Sequence, residues 1–119
     1  MKSPFRDNMS IKIRLMSGND IAMGPGKADL LEAIEKTGSI SAAAREMKMS
    51  YRRSWQLVDT MNACFKKPLV EKIKGGHQRG GATLTPTGSE VLRQYRDIQE
   101  KAEKSARKDM QKLSRQLVS

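Results

Sequence analysis

Residues 38–62 read GSISAAAREMKMSYRRSWQLVDTMN, and their spacing constrains the fold more than any other stretch. A short alanine-rich helical pattern, a tight break and a second helical pattern follow one another as in a helix-turn-helix. At about 100° per residue from Tyr51, Ser54, Trp55, Val58, Met61 and Asn62 gather around Tyr51 on one face, while Arg52, Arg53, Gln56 and Thr60 fall on the other. The second helix therefore has an inner, mostly apolar side and an outer side rich in hydrogen-bond donors. Ser50 is placed to cap it, because a serine hydroxyl accepts an otherwise unpaired backbone N–H. Ser41 is expected to start the preceding helix in the same way. That helix turns Ala43 and Ala44 inward, which lets the two helices approach closely, and Met47 and Met49 plug the junction. Lys48-Met49 occupies the turn, where many such motifs carry Gly at the Lys48 position. An ordinary helical hairpin with a solvated basic face has the same pattern; features downstream separate the two.

The first is a basic glycine-rich loop. LVEKI at 69–73 and ATLT at 82–85 read as paired strands around the tip KGGHQRGG at 74–81. Glycines make this tip flexible and no apolar residue anchors it. A hairpin directly after an outward-facing helix is a wing. Lys72, Lys74 and Arg79 are its candidates for phosphate or minor-groove contact, with His77 reaching a phosphate at most through water. Lys48, Lys66 and Lys67 are further phosphate candidates. The loop does not match GxxxxGK[ST], so nucleotide hydrolysis has no support. The second feature is charge. The chain carries 23 Lys+Arg against 13 Asp+Glu, a net +10. Residues 38–85 hold 9 basic and 3 acidic side chains, a local +6, against +1 in 1–37 and +3 in 86–119. Charge concentrated on the helix and wing is the footprint of a nucleic-acid binder. Ser50, Arg52, Arg53 and Gln56 are the expected base readers, Arg suiting a guanine edge and Gln an adenine edge.

Other classes are poorly served. At 119 residues and 37% hydrophobic, the chain holds one modest core. No apolar run approaches a membrane span, and MKSPFRDNMS lacks the apolar region of a secretory signal. Cys64 is the single cysteine, so no internal disulfide forms; a half-buried structural thiol in a reduced cytoplasmic setting is expected. No Cys/His cluster surrounds His77, no metal or cofactor is implied, and no carboxylate pair or nucleophile–base set suggests an enzyme. Residues 1–10 are expected to be a flexible N-terminus, with the DNA-binding domain over 11–85. Ile11, Ile13 and Leu15 alternate with Lys12 and Arg14 as in a half-buried strand. Residues 17–20 form a turn, and 21–23 return as a short second strand. Gly24-Pro25-Gly26 breaks the chain. A helix over 27–36 turns Leu30, Leu31 and Ile34 inward, and Gly38 supplies its left-handed cap.

Residues 86–119 are a different object. Thr85 can cap a helix, and Pro86 suits its first position. Leu92, Tyr95, Ile98, Ala102, Ala106, Met110, Leu113 and Leu117 recur at spacings of three and four. A helix over 86–117 is about 48 Å long at ~1.5 Å per residue, much longer than the domain beside it. Part of its apolar stripe needs outside cover, unless the distal half frays; the expected cover is the same helix of a second copy, as a two-fold homodimer. Two reading helices then match half-sites roughly 34 Å apart in an imperfect inverted repeat of double-stranded DNA. The expected fold is mainly α with small β elements: a winged helix-turn-helix plus a long C-terminal dimerisation helix.

At GSIS-AA (38–43), Ser50-Tyr51-Arg52 with Trp55, Met61-Asn62, Gly75-Gly76, Gly80-Gly81-Ala82 and Leu84-Thr85, the chain resembles a known family. It is similar, over most of 10–110, to the N-terminal DNA-binding domain of ModE-type molybdate-responsive transcriptional regulators, related to the LysR-type winged-helix group. The resemblance implies a bacterial winged helix-turn-helix regulator that dimerises through flanking helices. It also implies repression or activation of molybdenum-related genes, with reading helix 50–62 and wing 69–85. Full-length members carry molybdate-binding domains after the long helix. This chain ends at Ser119, so the expectation is a regulator without a small-molecule effector site of its own. Two alternatives use the same residues: a low-specificity nucleic-acid-binding architectural protein, and a protein-interaction adaptor acting through the long helix.

Overall fold

The computed structural model describes residues 10–73 and 81–118. An irregular stretch over 10–14 leads into a hairpin of β1 (Leu15–Ser17) and β2 (Asp20–Met23), which turns at Gly18-Asn19 with Gly18 at φ 61. Three helices follow: α1 (Pro25–Thr37), α2 (Ile40–Glu46) and α3 (Tyr51–Cys64). A second antiparallel hairpin, β3 (Val70–Lys72) with β4 (Ala82–Leu84), precedes α4 (Pro86–Ser114). Ser39 adds a single bridge to Gly81, and Ala82 N–H donates to Gly38 O at 3.0 Å. The second hairpin is thereby tied to the α1–α2 junction. The core fills the space between these elements. Leu30, Leu31 and Ile34 of α1, Ile40 and Ala43 of α2, Val58 and Met61 of α3, and Leu69 are fully buried, with Val70, Ala82, Leu92 and Tyr95 against them.

Local chemistry accounts for the helix ends. Pro25 takes the first position of α1, where a missing N–H costs nothing. α1 therefore begins two residues earlier than the glycine–proline break suggested. Gly38 ends it at φ 71, its N–H donating to Ile34 O at 2.7 Å. α2 is capped by Ser39, not by Ser41. The Ser39 hydroxyl accepts from Ala42 N–H at 3.1 Å, and this earlier cap lets Ile40 open the helix fully buried. The break between α2 and α3 is a left-handed C-terminal motif. Lys48 adopts φ 55, its N–H donates to Arg45 O at 3.1 Å, and Met49 N–H donates to Ala44 O at 3.0 Å. A lysine thus occupies the glycine position of that motif.

Ile11 and Ile13 are half-buried and Lys12 and Arg14 exposed, as the alternation predicts, but the strand itself starts later. Pairing begins only at Leu15, and a bulge between Leu15 and Met16 breaks the period of two. Leu15 and Met16 end up 54% and 50% exposed, while β2 supplies the buried Ala22 and Met23. The long helix also differs from expectation. It ends at Ser114, so Leu117 lies beyond it. Leu92 and Tyr95, expected at a seam between two copies, are buried in the chain's own core. The first turns of α4 pack on α1 and on the root of the second hairpin. Arg96 fixes this packing with charged bonds to Asp29 at 2.7 Å and Glu32 at 2.6 Å on α1. Ile98 and Leu113 remain exposed, with Ala102, Ala106 and Met110 partly covered.

Candidate nucleic-acid interface

α3 is the candidate for the interface because its inner face is committed. Ser54, Val58 and Met61 are buried, and the Ser54 hydroxyl donates to Ser50 O at 3.2 Å, which lets a polar residue sit inside. Arg52, Arg53 and Gln56 are all exposed. Ser50 is the N-cap, accepting from Arg53 N–H at 3.0 Å. Tyr51, counted with the inner face on spacing, stands 47% exposed and meets Trp55 edge-on at 6.2 Å. At ~100° per residue, Arg52 and Gln56 point most directly away from the buried line. Trp55 and Arg53 then lie on opposite flanks.

The Trp55 flank belongs to the second hairpin. The Lys72 ammonium sits 4.6 Å from the centroid of the Trp55 ring, a cation–π contact that ties β3 to α3. Lys72 is exposed, as are Lys48, Lys66 and Lys67. Lys48 stands in the left-handed turn just before Ser50. Lys66 and Lys67 follow the C-terminus of α3, roughly 20 Å along its axis from Ser50, so they are not gathered with Arg52. Lys74, His77 and Arg79 lie outside the described residues.

Spacing gave the Thr85 cap of α4, but not the Asn62 clamp or the bond from Thr85 to Pro68. The Asn62 side chain accepts from Leu69 N–H at 2.8 Å and Val70 N–H at 3.3 Å, and donates to Val70 O at 3.2 Å. It clamps the end of α3 to the root of the hairpin. Thr85 caps α4 through Gly88 N–H at 2.9 Å and donates its hydroxyl to Pro68 O at 2.7 Å. An asparagine on the inner edge of a helix, followed by a short basic turn and a strand, was the available signal. Arg14 and Lys27 also stand beside Arg53, a placement that sequence distance concealed. Among the described residues no group of His, Cys, Asp or Glu could hold a metal ion, and no helix is long and apolar enough to cross a membrane.

The helix-turn-helix and the strands around it coincide with a family match. Residues 27–89 fit the model of bacterial regulatory helix-turn-helix proteins of the lysR family. The chain belongs to that family. Its relatives within the LysR-like group include the molybdenum transport protein ModE of Azotobacter vinelandii, 41% identical over 78 residues, which is 66% of this chain and 29% of that protein. The molybdenum-pterin-binding protein MopB of Rhodobacter capsulatus is 46% identical over 77 residues, 65% of this chain and 28% of its own. The transcriptional regulator ModE of Haemophilus influenzae is 33% identical over 99 residues, 83% of this chain and 38% of its own. The chain thus spans about a third of the length of these relatives. The ModE-type resemblance read from the motifs is the one the matches bear out, and the family is one of regulators, not of enzymes.

Proposed function

We propose that the chain is a dimeric, sequence-specific DNA-binding transcriptional regulator acting in the bacterial cytoplasm on molybdenum-related genes. The observation that carries the reading is the split of α3: Val58 and Met61 are fully buried, while Arg52 and Gln56 on the opposite side are exposed. α3 enters the major groove, and Arg52 and Gln56 read base edges there. Ser50 caps the helix and meets the groove at its N-terminal end. The hairpin carrying Lys72 lies along the neighbouring backbone as a wing, and Lys48 adds a phosphate contact at the helix start. A local charge of +6 over 38–85 favours this surface for duplex over a neutral partner. The two copies meet through α4 beyond Tyr95, where Ile98 and Leu113 are exposed. Exposed Leu15 lines a cleft with Ile98 and extends the same apolar surface toward the β1–β2 hairpin.

Selection of bound fragments from a random-sequence duplex pool tests this reading. The expected product is an inverted repeat with half-sites one helical turn apart. Gln56→Ala should weaken binding to the selected sequence by about 5- to 100-fold while leaving scrambled duplex nearly unchanged, as loss of one bidentate base contact requires. Recovery of no preferred sequence would leave the low-specificity architectural reading in its place.

A further inference from the structure

On the flank of α3 opposite the wing, a cleft of about 320 Å3 opens between α3 and the start of α1. Arg14, Gly24, Gly26, Lys27, Met49 and Arg53 line it, and no acidic side chain does. α1 begins there without a side-chain cap and with no acidic residue in its first turn. The N–H groups of Gly26 and Lys27 precede the first intrahelical bond, which Ala28 N–H makes to Gly24 O at 2.9 Å. Gly26 is exposed, and a Cβ there would meet nothing within 4 Å.

Lys27 is the independent observation. It is only 9% exposed, yet it makes no hydrogen bond or ion pair with any described residue. Burial pushes its ammonium below the usual lysine range. Cys64 raises it, Arg53 lowers it further and Asp20 raises it. Its stem is buried, while its ammonium keeps some contact with solvent and pairs with no carboxylate among the described residues. It lines a cleft with two more cations and no carboxylate, so an anion seated there would come from outside the chain.

We propose that this cleft is a phosphate clamp. The Gly26 and Lys27 amides, the Lys27 ammonium and the guanidinium groups of Arg14 and Arg53 together hold one phosphodiester of the target duplex. The inference rests on the DNA-binding reading above. A major groove about 12 Å wide closely fits a helix 10–12 Å across with its side chains, so a seated α3 has a phosphate strand along each flank. Arg53 and Trp55 lie about 160° apart around the axis. The Lys72–Trp55 side serves one strand and the cleft serves the other. Arg53 thereby leaves the base-reading set and becomes a backbone ligand, and Arg14 and Lys27 join the interface.

The test measures binding of the 119-residue chain to a mixed-sequence 24-bp duplex across a salt series, for the wild type, Lys27→Met and Arg14→Gln. Each variant should reduce the log–log salt slope by about 0.9 per lost phosphate contact in each copy, equally on any sequence. Lys27→Met should melt at or above the wild-type temperature, because it removes a desolvated charge at similar volume. Arg14 is exposed, so its variant keeps the test intact if Lys27→Met fails to fold. A second arm titrates inorganic phosphate and follows the Gly26 and Lys27 amide signals. Saturable shifts that the variants abolish, with the duplex slope unchanged, would assign the cleft to a free oxyanion. Unchanged slopes without such shifts overturn the clamp and leave the DNA-binding reading standing. A wild-type chain that binds no duplex overturns both.

Discussion

Gly88 offers the sharpest test of how the fold is held. It occupies the first turn of α4, where helix propensity alone favours alanine by up to about 1 kcal/mol. The structure predicts the opposite. A Cβ on Gly88 would lie 2.0 Å from Leu69 O and 2.9 Å from Leu69 C. Relief requires a shift of about 1 Å between α4 and the root of the wing, and Leu69 is held against such a shift. Its carbonyl accepts from Thr85 N–H at 2.9 Å, its N–H donates to Asn62 at 2.8 Å, and its side chain is fully buried. Overpacking of this kind costs about 1–3 kcal/mol, and each strained hydrogen bond adds about 1 kcal/mol. After the propensity gain, Gly88→Ala should lose about 3 kcal/mol. That is a fall in Tm of roughly 10–15 °C for a domain of this size. Urea unfolding followed by circular dichroism measures it, with Ser89→Ala one position along as an exposed control expected within ~0.5 kcal/mol of wild type. A Gly88→Ala chain as stable as wild type would refute the close-approach argument.

Other substitutions probe the same frame. Lys48→Gly should raise stability by about 1 kcal/mol in thermal melts, because glycine takes φ 55 without the Cβ penalty. Asn62→Ala should cost about 2–3 kcal/mol in urea unfolding, since it leaves backbone groups of Leu69 and Val70 without partners. Tyr95→Phe should cost about 1 kcal/mol by removing the bond from its hydroxyl to Ile13 O at 2.7 Å. Burial raises the Tyr95 pKa above its ordinary value of 10.0. The native state therefore holds this proton more tightly than the unfolded chain. That contribution is complete below pH 10 and is lost as pH rises through the folded-state value. Stability against pH between 9 and 12 should fall less steeply in Tyr95→Phe.

The helices and the two-sidedness of α3 were legible because they follow local rules. Ser50 caps as its position dictates, Gly38 adopts the left-handed cap, and the arginines stand opposite Val58 and Met61. What escaped depends on tertiary contact. Ser39 and Ser41 are equivalent caps on spacing, and only the burial of Ile40 decides between them. Leu92 and Tyr95 share one stripe with Ile98 and Leu113. The periodicity carries no mark of where the chain's own core stops covering it, and the boundary falls after Tyr95. The N-terminal alternation holds over 11–14 and ends at Leu15, beside a bulge that leaves no trace in a pattern of apolar residues. Arg14 and Lys27 are far from Arg53 in sequence, so their shared cleft emerges only once α1 and α3 are packed.

The packing around Leu69 bears on how two copies would read one duplex. Asn62 fixes α3 to Leu69 and Val70, Thr85 fixes α4 to Pro68, and Gly88 lets α4 touch the Leu69 backbone. α3, the wing root and the start of α4 therefore move together. In a dimer that meets through α4, the first exposed apolar residue is Ile98, only about 15 Å along the helix from Gly88. So short a lever of continuous helix bends little, and the separation and twist of the two reading helices are set by the seam. Half-site spacing should then be strict. Inserting 5 bp between the half-sites of a selected operator turns the second half-site to the far side of the duplex. Affinity measured by fluorescence anisotropy should drop to that of a single half-site, while a 10-bp insertion restores the face but not the distance and remains weak. Equal affinity for all three spacings would mean that the two heads swivel independently, and the rigid connection through Leu69 would not reach the DNA.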